Sequence, residues 1–433
     1  MVWSGFQHRR SPRQVCIFLT TSISILLISV DMTSTESGYC PSMCHQIKAW
    51  LQQNPNQTIY ILHPSQVIHG LDPARVVPHY DSDSLLPAMN ASRVAKDPDE
   101  VALIQKAIDI SSLAHRTILH RITSLKSEAQ VHALFLSMCI SQGAKLQAYP
   151  PIVASGTNAS ILHYSNNDES LQSKELLCLD AGCEWSCYAS DITRTFPLSA
   201  DGWPSKEAAD LYALVEEMQE DCIKMLGPGV RYRNVYVRAQ YIAAKGLIRL
   251  GLINIPDTPE NIDWLVGTSA IFPFFPHGLG HHMGLDVHDV SSKPILSASP
   301  KELSEAVLRY ALFEPTLIAE WTKMLDLKAP CTADSALLEP GMVITVEPGL
   351  YFNRYALSHL YLKSPQWRKL INMEVLEKYI RVGGVRIEDD ILITKDGYKN
   401  LTKAPKGEEM LRVIREGAGC EHGLGCPFRV DAV

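Results

Sequence analysis

Four acidic side chains stand at or near the ends of apolar, strand-like runs. Asp180 closes Leu176-Leu177-Cys178-Leu179 and is followed by Ala181-Gly182. Asp191 lies 11 residues on, in Ser190-Asp191-Ile192-Thr193-Arg194-Thr195-Phe196-Pro197. Glu347 closes Met342-Val343-Ile344-Thr345-Val346 and precedes Pro348-Gly349. Glu388 sits in Gly384-Val385-Arg386-Ile387-Glu388-Asp389. Taken singly, each has an ordinary explanation. Asp180 before Ala-Gly reads as a turn residue, and Arg386 with Glu388 as a surface ion pair worth little. Taken together, carboxylates at buried strand ends are costly unless a partner, a proton or a metal ion sits between them.

The imidazoles cluster in His277-Gly278-Leu279-Gly280-His281-His282-Met283-Gly284-Leu285-Asp286-Val287-His288-Asp289. His277 and His281 have the i, i+4 spacing of a helical zinc pair. No glutamate follows His277, however, and the glycines disfavour a helix. A loop and strand presenting separate imidazoles fits better, although any one of these histidines alone could be a core residue. Four carboxylates with one or two imidazoles and no cysteine ligand suit hard or borderline divalent ions, manganese better than a structural zinc. Two such ions about 3.5–4 Å apart would activate a hydroxide between them, which is metal-assisted hydrolysis.

These residues need elements to hold them. Asp97-Pro98-Asp99-Glu100 predicts a capped helix start, with Val101, Ile104 and Ile108 on one face. Ser205 opens a second helix, with Leu211, Val215, Met218, Cys222 and Met225 on one side and Gly227-Pro228-Gly229 as its stop. A third runs from Val235 to Leu250. Strands are predicted over 57–63, 176–180, 188–195, 343–347, 385–388 and 391–394. In the strand at 385–388, Arg386 and Glu388 share a face opposite Val385 and Ile387. The order is α+β with a mainly antiparallel sheet.

The chain has 433 residues, 46% of them apolar and 20% charged, and a formal net charge of −7. A wholly disordered chain is excluded, and nucleic acid is not the expected partner. The 11 cysteines are irregularly spaced, and most are expected to be reduced and buried. Val15 to Val30 is the one membrane-like stretch, and its 16 residues fall short of the roughly 20 of a spanning helix. It follows His8-Arg9-Arg10 in the manner of a secretory signal. Sequons at Asn56, Asn90, Asn158 and Asn400 fit secretion weakly. The alternative start is Met32, with a cytoplasmic product.

In order along the chain, Asp180-Ala181-Gly182, Asp191 to Pro197, His277 to His281, Asp286 to Asp289, Val346 to Gly349 and Val385 to Asp389 resemble the Xaa-Pro aminopeptidase (aminopeptidase P) and prolidase family of dinuclear metallopeptidases. The similarity spans about 95–405 and is strongest to the fungal Xaa-Pro aminopeptidases, including Tyr351-Phe352. The resemblance implies a pita-bread catalytic domain, a curved antiparallel sheet flanked by helices. It also implies two divalent ions per subunit, most simply Mn²⁺, on Asp180, Asp191, His281, Glu347 and Glu388. His163 would bind substrate. His277 and His288 would line the site, His288 donating to the oxyanion. Glu347 would shuttle a proton, and Arg386 would brace the ligands.

The substrate implied is a peptide with a penultimate proline, whose amide lacks an N–H. A prolidase confined to dipeptides is the near alternative. A non-catalytic pita-bread peptide-binding protein is the distant one, disfavoured because all five ligand positions persist. The resemblance allows a homodimer and suggests no membrane association beyond residues 15–30. The expected divisions are 1–35 (signal-like segment or extension), 36–94 (a short N-terminal domain), 95–405 (catalytic) and 406–433 (tail). Residues 310–323 read as an insert. His282 stands where the family more often has an aromatic or aliphatic residue. The repeat of His-Gly-Leu-Gly at His422 and the pair Cys420/Cys426 read as coincidence.

Overall fold

The computed structural model describes residues 14–21, 24–31, 58–63, 79–268, 270–290 and 337–420. The expected insert at 310–323, the His422 repeat and Cys426 lie outside what is described. The chain divides into two compact units, Met1–Arg93 and Val94–Val433.

In the first unit β1 (Gln14–Thr21) and β2 (Ser24–Asp31) form an antiparallel hairpin. β3 (Thr58–Tyr60) pairs with β1 and runs parallel to β4 (His79–Asp81). The described parts of the apolar stretch, up to Thr21 and from Ser24, are therefore laid out as strands. No helix among the described residues is long and apolar enough to cross a membrane. Helix α1 (Leu85–Val94) follows.

The second unit opens with α2 (Pro98–Arg121). The Asp97 carboxylate accepts from the N–H groups of Asp99 and Glu100, and Glu100 reaches back to the Asp97 N–H at 2.9 Å. That is the capping box expected from the sequence. After it come α3 (Glu128–Ser141), α4 (Lys206–Lys224) and α5 (Tyr232–Arg249). Ser205 caps α4, which buries Leu211, Val215, Met218 and Cys222 in the main core. α6 (Pro259–Gly267), α7 (Pro365–Leu370), α8 (Met373–Val382) and α9 (Gly407–Cys420) are the later helices of six residues or more among the described residues.

Every strand pair among the described residues of the second unit is antiparallel. β6 (Ile152–Ser155), β7 (Leu176–Asp180) and β10 (Thr193–Pro197) form one sheet, with β7 central. β11 (Val343–Val346), β14 (Asp389–Thr394) and β15 (Gly397–Asn400) form a second. β12 (Gly349–Tyr351) pairs with β13 (Gly384–Arg386), and the short β5 (Leu146–Gln147), β8 (Cys183–Trp185) and β9 (Tyr188–Ala189) pair together. The α+β, antiparallel expectation holds.

The expected strands at 57–63 and 343–347 are trimmed to Thr58–Tyr60 and Val343–Val346, and two others are shortened for a reason that matters to the site. The run 188–195 breaks at 190–192, because the Asp191 N–H leaves the ladder to donate to Asp390 Oδ2 at 3.1 Å. The strand at 385–388 ends at Arg386, because Glu388 changes partner and bridges to Thr193. The five described cysteines with resolved side chains are free thiols. Two sequon side chains are engaged internally: the Asn158 amide donates to Glu128 and that of Asn400 to Asp389.

Candidate metal centre

Antiparallel pairing of β7 with β10 sets Thr193 opposite Asp180, so Asp191 arrives beside it. The turn needs Gly182: a Cβ there would lie 1.8 Å from the Ser190 carbonyl oxygen. Asp180 accepts from the Tyr149 hydroxyl at 2.6 Å and from Arg386 Nη2 at 2.7 Å. Both carboxylate oxygens are thereby oriented.

The histidine loop lies against β11. The His281 N–H donates to Thr345 Oγ1 at 3.0 Å, and the Thr345 N–H to the His281 carbonyl at 2.9 Å. Gly280 permits this approach, since a Cβ would sit 2.2 Å from the Thr345 carbonyl oxygen. His281 Nδ1 donates to the His282 carbonyl at 2.9 Å. That bond directs Nε2 toward Asp191 Oδ2 at 3.3 Å and Glu347 Oε1 at 3.5 Å. Glu388 completes the set from the β13–β14 junction, its carboxylate accepting from Thr193 Oγ1 at 2.6 Å.

Donor atoms converge in three overlapping groups, each within 4.8 Å: Asp180, Asp191 and Glu388; His281, Glu347 and Glu388; and Asp191, His281 and His288. Burial pushes the Asp191, Glu347 and Glu388 carboxyls upward, Glu347 to about 7, and the neighbouring carboxylates add to this. Burial opposes a charge on His281, yet Asp191 and Glu347 outweigh it and raise the imidazole to about 9. Four carboxylates thus share one arginine and one histidine. This donor set, rich in hard oxygens and short of positive charge, fits divalent cations.

The remaining expected residues are arranged differently from one another. His288 is exposed and meets His281 edge-on, ring centroids 4.4 Å apart. It belongs to a donor group although the sequence assigned it only to substrate and oxyanion. His277 belongs to none. The Tyr351 hydroxyl accepts from Arg386 Nη1 at 2.9 Å and so donates to His277 Nε2 at 2.8 Å, while His277 Nδ1 meets the Gly278 carbonyl at 2.7 Å. Burial and Arg386 hold His277 neutral, down to about 3. His163 is exposed on the loop after β6 and lies near enough to disfavour charge on His277. His282 points away into the interior, 4% exposed and neutral, beside the buried Lys96–Asp289 ion pair at 3.1 Å.

Sequence reasoning missed Tyr149, Thr193 and Thr345 as partners of the ligand candidates. Thr193 had a signal, being on the same strand face as Asp191. Tyr149 had none, because its place depends on β5 crossing to β8.

Residues 102–395 match Metallopeptidase family M24. A probable Xaa-Pro aminopeptidase of Pyrenophora tritici-repentis is 52% identical over 384 residues, 87% of this chain and 56% of that protein. One from Aspergillus fumigatus is 46% identical over 381 residues, 88% of this chain and 73% of that protein. The chain thus spans about half the length, or less, of the first curated relatives it matches. A histidine-to-alanine variant of Escherichia coli aminopeptidase P superposes with a TM-score of 0.66 at 28% identity, over 87% of this chain and 75% of that one. A zinc-substituted form of the same enzyme in complex with product gives 0.63 at 28% identity, over 86% and 74%. The fold is the pita-bread fold of aminopeptidase P, and the chain belongs to metallopeptidase family M24 alongside the fungal Xaa-Pro aminopeptidases.

Proposed function

We propose that this chain is a metallo-aminopeptidase that hydrolyses the Xaa-Pro bond and releases the N-terminal residue of peptides with a penultimate proline. What supports the reading most is the convergence of donors from Asp180, Asp191, His281, Glu347 and Glu388, carried on four separate stretches of an M24 chain. Catalysis is assigned to residues 95–405, with 36–94 as a short N-terminal domain and 406–433 as a tail.

Those five side chains would hold two divalent ions, manganese by preference. When bound, the ions supply Lewis acidity and lower the pKa of water. The chain's own residues do the rest. Arg386 and Tyr149 fix the Asp180 carboxylate, and Thr193 fixes Glu388. The His281 Nδ1 bond to the His282 carbonyl keeps the Nε2 lone pair forward. Glu347 carries a proton to the imino nitrogen of the leaving proline. His288, exposed beside His281, donates to the developing oxyanion. His163 binds substrate from its loop. His277, tied to Tyr351, lines the site beside the substrate.

The test uses purified chain stripped by chelator, verified metal-free by elemental analysis, then given manganese. Xaa-Pro-Yaa tripeptides should be cut only after manganese is restored, and Xaa-Ala-Yaa far more slowly. Full activity in the metal-free protein would overturn the dinuclear reading. Cleavage confined to dipeptides would move the chain to prolidase.

A further inference from the structure

The first residue of α3, Glu128, is wholly buried, yet it does not touch the metal centre. Its Oε1 accepts from the Ser155 N–H at 2.9 Å, Ser155 Oγ at 2.7 Å and Asn158 Nδ2 at 3.1 Å. Its Oε2 accepts from the Tyr164 hydroxyl at 2.8 Å and the Glu169 N–H at 3.0 Å. Its own N–H donates to the Glu169 carbonyl at 2.9 Å. The donors belong to one segment, 155–169, and lie on both sides of His163. A carboxylate that gathers both ends of a loop does more than close a helix cap. It removes the loop's freedom, because each donor would lose a charged acceptor if the loop moved.

The side chains at the loop's centre divide. Tyr164 points inward, 6% exposed, to Glu128, and His163 is exposed on the other side of the backbone. We propose that Glu128 is a positioning residue that fixes the 155–169 loop and, through Tyr164, sets the place of His163 at the substrate. This rests on the reading of His163 as a substrate-binding group. It assigns to a residue about 35 positions away in sequence the job of organising that group. Organisation of this kind lowers the ordering cost of binding.

The experiment compares Glu128→Gln, Tyr164→Phe, His163→Ala and the Glu128→Gln/His163→Ala double variant. Glutamine keeps the shape but offers one acceptor oxygen and one donor amide, so the donors on one side lose their acceptor. Hydrogen exchange of the loop amides reads positioning without substrate. Tripeptide kinetics and bound manganese read the consequence. Glu128→Gln should speed exchange across 156–166 about ten-fold, and raise KM about ten-fold with kcat within about three-fold and metal content unchanged. Tyr164→Phe should do the same to a lesser degree. In the His163→Ala background Glu128→Gln should add less than about two-fold. Unchanged exchange in both Glu128→Gln and Tyr164→Phe would overturn the proposal. So would full additivity with His163→Ala, or a loss of metal and kcat with KM unmoved. Should Glu128→Gln fail to fold, Tyr164→Phe carries the same comparison. If the wild-type chain cleaves no Xaa-Pro peptide, the functional reading and the substrate half of this proposal fall, while the exchange data still decide whether Glu128 fixes the loop.

Discussion

Glu388 and Asp389 are adjacent in the chain, both at most 2% exposed, and their carboxyls are pushed in opposite directions. Burial and the Asp191, Glu347 and Asp180 carboxylates drive Glu388 well above the carboxylate range. Burial also opposes the charge on Asp389, but Arg194 and Lys406 prevail and hold it low. Arg194 Nη2 donates to Asp389 Oδ1 at 2.7 Å, and Lys406 Nζ and Asn400 Nδ2 each donate to Oδ2 at 2.8 Å. Arg194 also donates to the Glu388, Thr193, Ala404 and Pro405 carbonyls. One residue of strand thus turns the chain from an acidic pocket short of cations to an ion pair already complete within the protein. The lesson is that burial alone does not mark a functional carboxylate. What marks it is burial among like charges.

The largest test sets the two sides against each other. Arg194→Leu leaves Asp389 buried with a weakened partner set and strips several carbonyls of their donor, which should cost about 3–5 kcal/mol in urea unfolding. Glu388→Gln, by contrast, puts a neutral amide where burial and neighbouring carboxylates already oppose ionisation. The chelated protein should unfold no earlier than wild type, yet it should lose manganese retention and turnover. Equal destabilisation by both changes would erase the contrast.

Within the acidic side, His288→Ala separates holding metal from stabilising the transition state. Losing one preorganised donor typically costs about 2.7–4 kcal/mol, roughly 10² to 10³ in kcat. Bound manganese should stay near normal. Because His288 shares a donor group with Asp191 and His281, loss of an ion in this variant would instead make it a ligand.

The pH dependence should carry opposite signs on the two sides. In chelated protein Glu347, raised from 4.5 to about 7, keeps its proton to higher pH when folded than when unfolded. The stability it contributes is complete below about pH 4.5 and lost as pH rises through about 7. Asp389 is held low, so its contribution is present above 3.8 and lost as acid protonates it. The difference in urea midpoint between wild type and Glu347→Gln, measured at several pH values, should therefore fall between about pH 4.5 and 7.

The smallest expected effect is at the seam. Thr193 donates to Glu388 and accepts from Arg386 Nε at 3.3 Å, while its carbonyl accepts from Arg194. Thr193→Val keeps the volume and the Arg194 bond. Manganese affinity should drop about 10- to 100-fold, with urea stability changed by only about 1 kcal/mol. A larger stability loss would mean the two sides are coupled rather than separate.

The sequence by itself determined which residues are candidates for chemistry and on what kind of element they stand. Asp180 and Glu347 were legible because a charge at the end of an apolar run violates the local pattern. The helix at Asp97 was legible because a capping box is a short-range device. Period-two alternation put Arg386 on the face of Glu388, and Val385 and Ile387 are indeed wholly buried in the core. Only the tertiary structure decided the partnerships. That Glu388 pairs across with Thr193, that Asp389 belongs to Arg194, and that Tyr149 reaches Asp180 depend on strands far apart in sequence meeting in one register. His277 and His288 show the same limit: both lie in one motif, yet packing against Tyr351 ties the first to a hydrogen-bonded wall and leaves the second exposed beside His281. Local pattern reports a residue's own environment. Which charges share that environment is settled by long-range packing, and in a buried site the company a charge keeps decides whether it holds a fold together or binds a cation.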